Sequence, residues 1–76
     1  MENLMSLAPI PELPEPAERV RLRKRFGVTQ LILAASLGVS RKTIVRTEKG
    51  LTEPTGEFRI EYAAILARWA ETEKEK

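Results

Sequence analysis

The sequence predicts a small all-α domain of four main helices, the last of them long. Three observations carry this prediction. Apolar residues recur at intervals of three and four along much of the chain, which is the spacing of one face of a helix. Glycines and hydroxyl-bearing residues stand where helices would end and begin. No segment alternates polar and apolar residues convincingly, so we expect no sheet, and 76 residues leave room for one domain only.

The chain opens with a proline-rich segment. Four prolines stand within eight residues: Pro9, Pro11, Pro14 and Pro16. Proline fixes φ and biases the preceding residue toward extended backbone, so this proline-bearing stretch cannot form a helix. We assign residues 1–16 to a Pro-rich N-terminal arm that is flexible or polyproline-like, and we favour plain disorder over a ligand role for a partner.

Two helices follow the arm. The first is predicted over residues 17–26, with a proline near its first turn, where proline is tolerated, and Gly27 as its stop. The second is predicted over residues 30–37, with Thr29 as N-cap and Gly38 as the left-handed terminator. Its buried stripe is predicted from four residues: Leu31, Ala34, Ala35 and Leu37.

The third helix is predicted over residues 41–48 after Ser40 as N-cap, with Ile44 as its most apolar inward position. The fourth begins near Gly56, with Thr55 as candidate N-cap, and no later glycine or proline interrupts it. Its apolar face is formed by Phe58, Tyr62, Ile65, Leu66 and Trp69. The chain therefore divides into an arm, a domain and a charged tail: residues 1–16, 17–70 and 71–76.

Charge is distributed unevenly along the chain. The net charge is +2, from 13 basic and 11 acidic residues, but residues 17–50 hold nine basic and two acidic side chains. Both flanking segments, residues 1–16 and 51–76, are net acidic. A local basic excess is either a solvated surface or a polyanion-binding face, and charge alone does not decide between them.

Composition excludes several classes of protein. The chain has no Cys and no His, so thiolate and imidazole catalysis and the usual zinc ligands are missing, and its carboxylates are scattered. We therefore expect no enzyme, no metal, no cofactor and no small-molecule ligand. No apolar run approaches the roughly 20 residues that span a bilayer, and the N-terminus lacks the basic start of a signal peptide. We expect no membrane association and a cytoplasmic location.

Helices two and three are joined by the tripeptide Gly38-Val39-Ser40, which is the spacing of a helix-turn-helix. Helix three places Arg41, Lys42, Val45 and Arg46 on or near one face, opposite Ile44 and Thr47. An apolar back and a basic front suit the DNA major groove, because arginine can bond both guanine acceptors and lysine can reach guanine or phosphate.

A series of short motifs surrounds this turn: Arg23, Gly27-Val28-Thr29-Gln30, Leu33-Ala34, Leu37-Gly38-Val39-Ser40, Thr43-Ile44, Glu48-Lys49-Gly50 and Pro54. Their order and spacing resemble the phage Cro/repressor-type, or XRE-like, helix-turn-helix family over about residues 17–69. The resemblance implies a lambda-repressor-like bundle, most similar to a small phage Cro-like repressor. The family usually has five helices, and we expect four here.

The resemblance implies roles in binding double-stranded DNA. Residues on the outer face of helix three are expected to read base edges: Arg41, Lys42, Val45 and Arg46. Residues at helix starts and in the loop after helix three are expected to contact phosphate: Thr29, Gln30, Ser40, Thr43, Lys49 and Thr52. Arg23 and Glu48 are expected to form a partly buried, structural ion pair. The other basic residues of helix one stay open between solvent and phosphate: Arg19, Arg21, Lys24 and Arg25.

The resemblance also implies a transcriptional regulator that binds a pseudo-palindromic operator as a weak homodimer or as a dimer formed on DNA. The dimer contacts are expected on helix four: Ile60, Ala64, Ala67 and Trp69. For Trp69, closing the monomer core is slightly favoured over an interface role. A repressor is favoured over an activator because no further domain is evident. The alternatives are an antitoxin-type autorepressor and a helical protein-interaction adapter. We expect the protein to act in a bacterial or phage-infected host cell.

Overall fold

The computed structural model describes residues 11–75, which contain four α-helices: α1 Pro16–Arg25, α2 Gln30–Leu37, α3 Arg41–Glu48 and α4 Gly56–Lys74. Within that range there is no strand. The prediction of an all-α bundle with a long last helix is confirmed. The first helix lies one residue earlier at each end than predicted, because Pro16 itself is its first residue. Predictions for residues 1–10 of the arm lie outside the described residues.

Side-chain caps and a left-handed glycine set the limits of α2 and α3. Thr29 Oγ1 accepts a hydrogen bond from the amide of Ile32 at 3.1 Å, and Ser40 Oγ accepts one from the amide of Thr43 at 3.2 Å. Each hydroxyl satisfies an amide that the first turn of a helix leaves free. Gly38 ends α2 at a φ of 70°, a conformation that glycine adopts at low cost.

The start of α4 is built differently. Thr55 occupies the N-cap position, as predicted, but its side chain makes no capping hydrogen bond. Gly56 follows with a φ of 61°, which strains any residue that carries a Cβ. The chain therefore enters α4 through the conformational freedom of Gly56, and the hydroxyl of Thr55 contributes no cap.

The four helices pack around a single set of buried apolar side chains: Leu22, Leu33, Ala34, Leu37, Ile44, Tyr62 and Leu66. The predicted apolar face of α4 is confirmed, since Tyr62 and Leu66 are buried and Phe58, Ile65 and Trp69 pack against the core from its edge. α3 turns Ile44 and Thr47 inward, with exposed fractions of 0% and 1%. This packing fixes which side of α3 faces out.

The predicted buried stripe of α2 is wrong in half of its members. Ala34 and Leu37 are buried, but Leu31 is 65% exposed and Ala35 is also exposed. Leu33, which was not in the predicted stripe, is 2% exposed and lies in the core. α2 is apolar on nearly every side, so the spacing of its apolar residues does not mark the inward face. Packing against the other three helices selects it.

The described end of the arm is tied to the bundle by two arginines. Arg59 Nε donates to the carbonyl oxygen of Pro11 at 2.7 Å, and Arg19 Nε donates to that of Pro14 at 2.7 Å. These carbonyls are free to accept because residues 11–15 form no helix. These two hydrogen bonds hold residues 11–15 against α1 and α4.

Candidate nucleic-acid interface

α3 has a buried face and a basic, outward face. Ile44, Thr47 and Glu48 are buried. The predicted base-reading residues lie on the other side: Arg41, Lys42 and Arg46 are exposed, and Val45 is half-buried. None of the ion pairs within residues 11–75 involves these three cations. Their charge is therefore available to an anionic partner along one side of a helix.

The predicted phosphate-contacting residues flank this face. Thr29 and Ser40 are exposed at the starts of α2 and α3, and Lys49 and Thr52 are exposed in the loop that follows α3. A threonine or serine hydroxyl that accepts a capping bond still carries a proton that it can donate. Ser40 Oγ and Thr43 Oγ1 lie 3.0 Å apart and share one hydrogen bond, which uses one of their two hydroxyl protons. The other proton remains available.

A buried ion pair joins α1 to the end of α3. Arg23 Nε donates to Glu48 Oε2 at 2.6 Å, and its Nη2 donates to Oε1 at 3.0 Å. Arg23 Nη1 also donates to the carbonyl oxygen of Val28 at 2.9 Å. The two side chains are 9% and 4% exposed. A bidentate pair of this kind orients α3 relative to α1.

Gln30 belongs to the same network. Its Nε2 donates to Glu48 Oε1 at 3.0 Å, from the first residue of α2. The amide nitrogen of glutamine carries two protons, so one of them remains for a phosphate oxygen. The sequence indicated only a phosphate contact for Gln30. The structure adds a link between α2 and the end of α3.

Arg19 is a second buried arginine that sequence reasoning left unassigned. It is 3% exposed, and its Nη1 donates to the carbonyl oxygen of Thr47 at 3.1 Å. A signal was present, because Arg19 precedes Leu22 by three residues and Arg23 by four and so shares their face. Arg19 thus binds the last turn of α3 and is withdrawn from solvent.

Arg21 and Arg25 both form ion pairs with Glu73, near the C-terminal end of α4. Arg21 donates to both carboxylate oxygens of Glu18, at 2.7 and 2.8 Å, and to both of Glu73, each at 2.9 Å. Arg25 Nε lies 3.6 Å from Glu73. Hydrogen bonding to Arg21 lowers the pKa of Glu18 and of Glu73 below the ordinary value. These arginines are therefore compensated by carboxylates within the domain.

The predicted dimer contacts divide into two groups. Ile60, Ala64 and Ala67 are exposed on α4, with Ile60 55% exposed. Trp69 is half-buried, and its ring stacks on that of Phe26 with centroids 5.7 Å apart and an interplanar angle of 11°. Trp69 thus closes the junction of α1 and α4, and an apolar strip of Ile60, Ala64 and Ala67 is left on the surface.

A family model described as helix-turn-helix matches residues 21–67, well over half of the chain. The matched segment contains α2, α3 and the turn between them, together with much of α1 and α4. No match was found among curated proteins or among solved structures. Across residues 11–75, no helix is long and apolar enough to cross a membrane, and no cluster of three or more potential ligands could hold a metal ion.

Proposed function

Because the chain belongs to the XRE-type helix-turn-helix family of DNA-binding transcription regulators, we propose that it is a Cro-type repressor that reads its operator with α3. The observation that carries the proposal is the outward face of α3. Arg41, Lys42 and Arg46 are exposed there, while Ile44 and Thr47 anchor the opposite face in the core. The rest of the domain therefore holds the basic face rigidly.

In this proposal α3 lies in the major groove, where each base pair displays its own pattern of donors and acceptors. Arg41 and Arg46 have the fork of N–H donors that matches the O6 and N7 acceptors of guanine. Lys42 reaches guanine or phosphate as a point charge, and Val45 contacts a thymine methyl group. These contacts would give sequence specificity.

Contacts to the DNA backbone would fix the depth and angle of α3. Thr29 and Gln30 lie at the start of α2, and Ser40 and Thr43 lie at the start of α3. Lys49 and Thr52 lie beyond its other end. Such contacts carry no sequence information directly, but they set the register of the protein on the duplex.

A dimer would extend recognition to both halves of a pseudo-palindromic operator, as in other helix-turn-helix proteins. The exposed strip of Ile60, Ala64 and Ala67 supports a small interface. Small side chains bury little area, so we propose a weak homodimer or a dimer formed on DNA. A dimer in adjacent major grooves would repress by covering the promoter within the cytoplasm of a bacterial or phage-infected cell.

Selection of bound sites from a pool of random duplexes tests the proposal. We expect one recurring sequence with two-fold symmetry and half-sites about one helical turn apart. The selected duplex is then titrated at several salt concentrations, where the logarithm of affinity should fall linearly with the logarithm of salt. Recovery of unrelated sequences with equal affinity would contradict the proposal. A protein that binds no duplex would instead favour the protein-interaction adapter.

A further inference from the structure

The five basic side chains of α1 fall into three groups according to the partners that they contact. Arg19 and Arg23 are buried and bonded to the last turn of α3. Arg21 and Arg25 pair with Glu73 of α4. Lys24 is exposed, and none of the ion pairs or side-chain hydrogen bonds found in residues 11–75 involves it. Lys24 is therefore the α1 cation whose charge no carboxylate in that range compensates.

Lys24 lies on the same side of the domain as the predicted DNA contacts. It lines a groove of about 460 Å³ where the end of α1 meets the starts of α2 and α3. The other lining residues are Arg23, Thr29, Gln30, Leu31 and Arg41. Three helices thus contribute side chains to one open groove. Of the two lining residues that belong to α1, Arg23 is bonded to Glu48, whereas the ammonium group of Lys24 remains available.

Four residues that line this groove each have a hydrogen-bond donor free to act there. Lys24 and Arg41 carry positive charges, Thr29 keeps a hydroxyl proton beyond its capping bond, and Gln30 keeps one amide proton. Glu48 is the carboxylate bonded to two lining residues, but its side chain is only 4% exposed and it already accepts from Arg23 and Gln30. Converging donors with two cations fit an anion with several acceptor oxygens.

We propose that this groove is a phosphate site that holds one phosphodiester of the DNA backbone, with Lys24 as its principal cation. The inference rests on the proposed function and adds α1 to the interface. A phosphate bound there touches α1 through Lys24 and the start of α2 through Thr29 and Gln30, next to the base-reading Arg41. It sets how far α3 enters the major groove without reading sequence.

Lys24→Gln tests the site, with Arg25→Gln as the matched control. The two residues are adjacent and both exposed, but Arg25 faces Glu73. Loss of one phosphate contact reduces the salt slope by about 0.9, or about eightfold in affinity near 0.1 M salt. We expect Lys24→Gln to show this loss equally on specific and random duplexes, with an unchanged melting temperature. Arg25→Gln should keep the wild-type slope.

A single neutral methylphosphonate, moved stepwise along the selected operator, locates the contact. At one position the substitution should weaken wild-type binding and have little further effect on Lys24→Gln, because the same contact is then already lost. An unchanged salt slope for Lys24→Gln, in a wild-type protein that binds duplex DNA, would overturn the site and leave the proposed function intact. Failure of the wild type to bind any duplex would overturn both.

Discussion

Arg23 and Glu48 face each other across the junction of α1 and α3, with hydrogen bonds of 2.6 and 3.0 Å and side chains 9% and 4% exposed. Removing one member leaves a buried charge uncompensated, which costs about 3–5 kcal/mol of unfolding free energy. We expect Arg23→Ala to lose that amount in urea unfolding. Arg21→Ala is the control, because its partners lie on the surface and exposed pairs contribute little. Equal losses in the two variants would contradict this role.

The inward face of α2 gives a second prediction. Leu33 is 2% exposed and Leu31 is 65% exposed, although both are leucines of the same helix. Truncating a buried leucine costs about 2–5 kcal/mol, because a cavity adds to the lost burial. We expect Leu33→Ala to fall in that range and Leu31→Ala to stay within about 0.5 kcal/mol of wild type. Thermal unfolding followed by circular dichroism measures both, and the reverse order would show that α2 is rotated.

The limits of the helix-turn-helix could be predicted from the sequence because local chemistry sets them. Thr29 and Ser40 cap their helices through their own hydroxyls, and Gly38 supplies the left-handed residue between α2 and α3. These interactions span three residues or fewer. They do not depend on the rest of the fold, so residue type at each position was sufficient to place α2 and α3.

Two features could not be predicted from the sequence: which face of α2 points inward, and which partner each basic residue of α1 contacts. Both depend on residues that are distant in the sequence. Arg21 and Arg25 are compensated by Glu73, about fifty residues away, and Arg19 is bonded to Thr47. Periodicity within α1 cannot indicate which of several cations meets a distant carboxylate. Lys24 differs from the other α1 cations because no carboxylate in residues 11–75 pairs with it, which its position in the sequence does not indicate.

Direct readout predicts how the outward face of α3 responds to mutation. Arg46 is exposed and outside every ion pair found in residues 11–75, so its loss should leave the fold intact. We expect Arg46→Ala to cost about 1–3 kcal/mol in discrimination at one base position of each half-site. Arg68→Ala, an exposed arginine of α4, should change neither specificity nor affinity appreciably. Uniform weakening of Arg46→Ala on all sequences would indicate phosphate contact instead.

Because of the buried hydroxyl of Tyr62, we expect the free energy of unfolding to depend on pH in the alkaline range. Tyr62 is 0% exposed, and its hydroxyl has no hydrogen-bond partner among the residues that the structure describes. Burial raises the pKa of Tyr62 above its ordinary value of 10.0. The unfolded chain therefore ionises first, so this contribution to stability is complete below about pH 10 and is lost as pH rises toward the folded pKa.

Tyr62→Phe tests that dependence. The variant removes the ionisable group and an unsatisfied buried hydroxyl while it keeps the ring that stacks on Phe58 at 5.6 Å. We expect stability at pH 7 to be unchanged or higher, and the decline of unfolding free energy above pH 10 to be shallower than in wild type. If the unfolding free energy of the two proteins declined in parallel above pH 10, the Tyr62 hydroxyl would not be the source of the pH dependence.

The exposed strip of α4 gives the last prediction, which concerns the proposed dimer. Ile60 is 55% exposed, so Ile60→Asp should change the unfolding free energy by no more than about 0.5 kcal/mol. On a duplex with both half-sites, the variant should bind without the cooperativity of wild type, because a charge now stands in the interface. On a duplex with one half-site the two proteins should bind equally.

Thr72→Asp adds the same charge to an exposed position of α4 outside the strip and should retain cooperativity. Equal weakening of Ile60→Asp on both duplexes would place its effect in DNA contact and exclude the strip as the dimer surface.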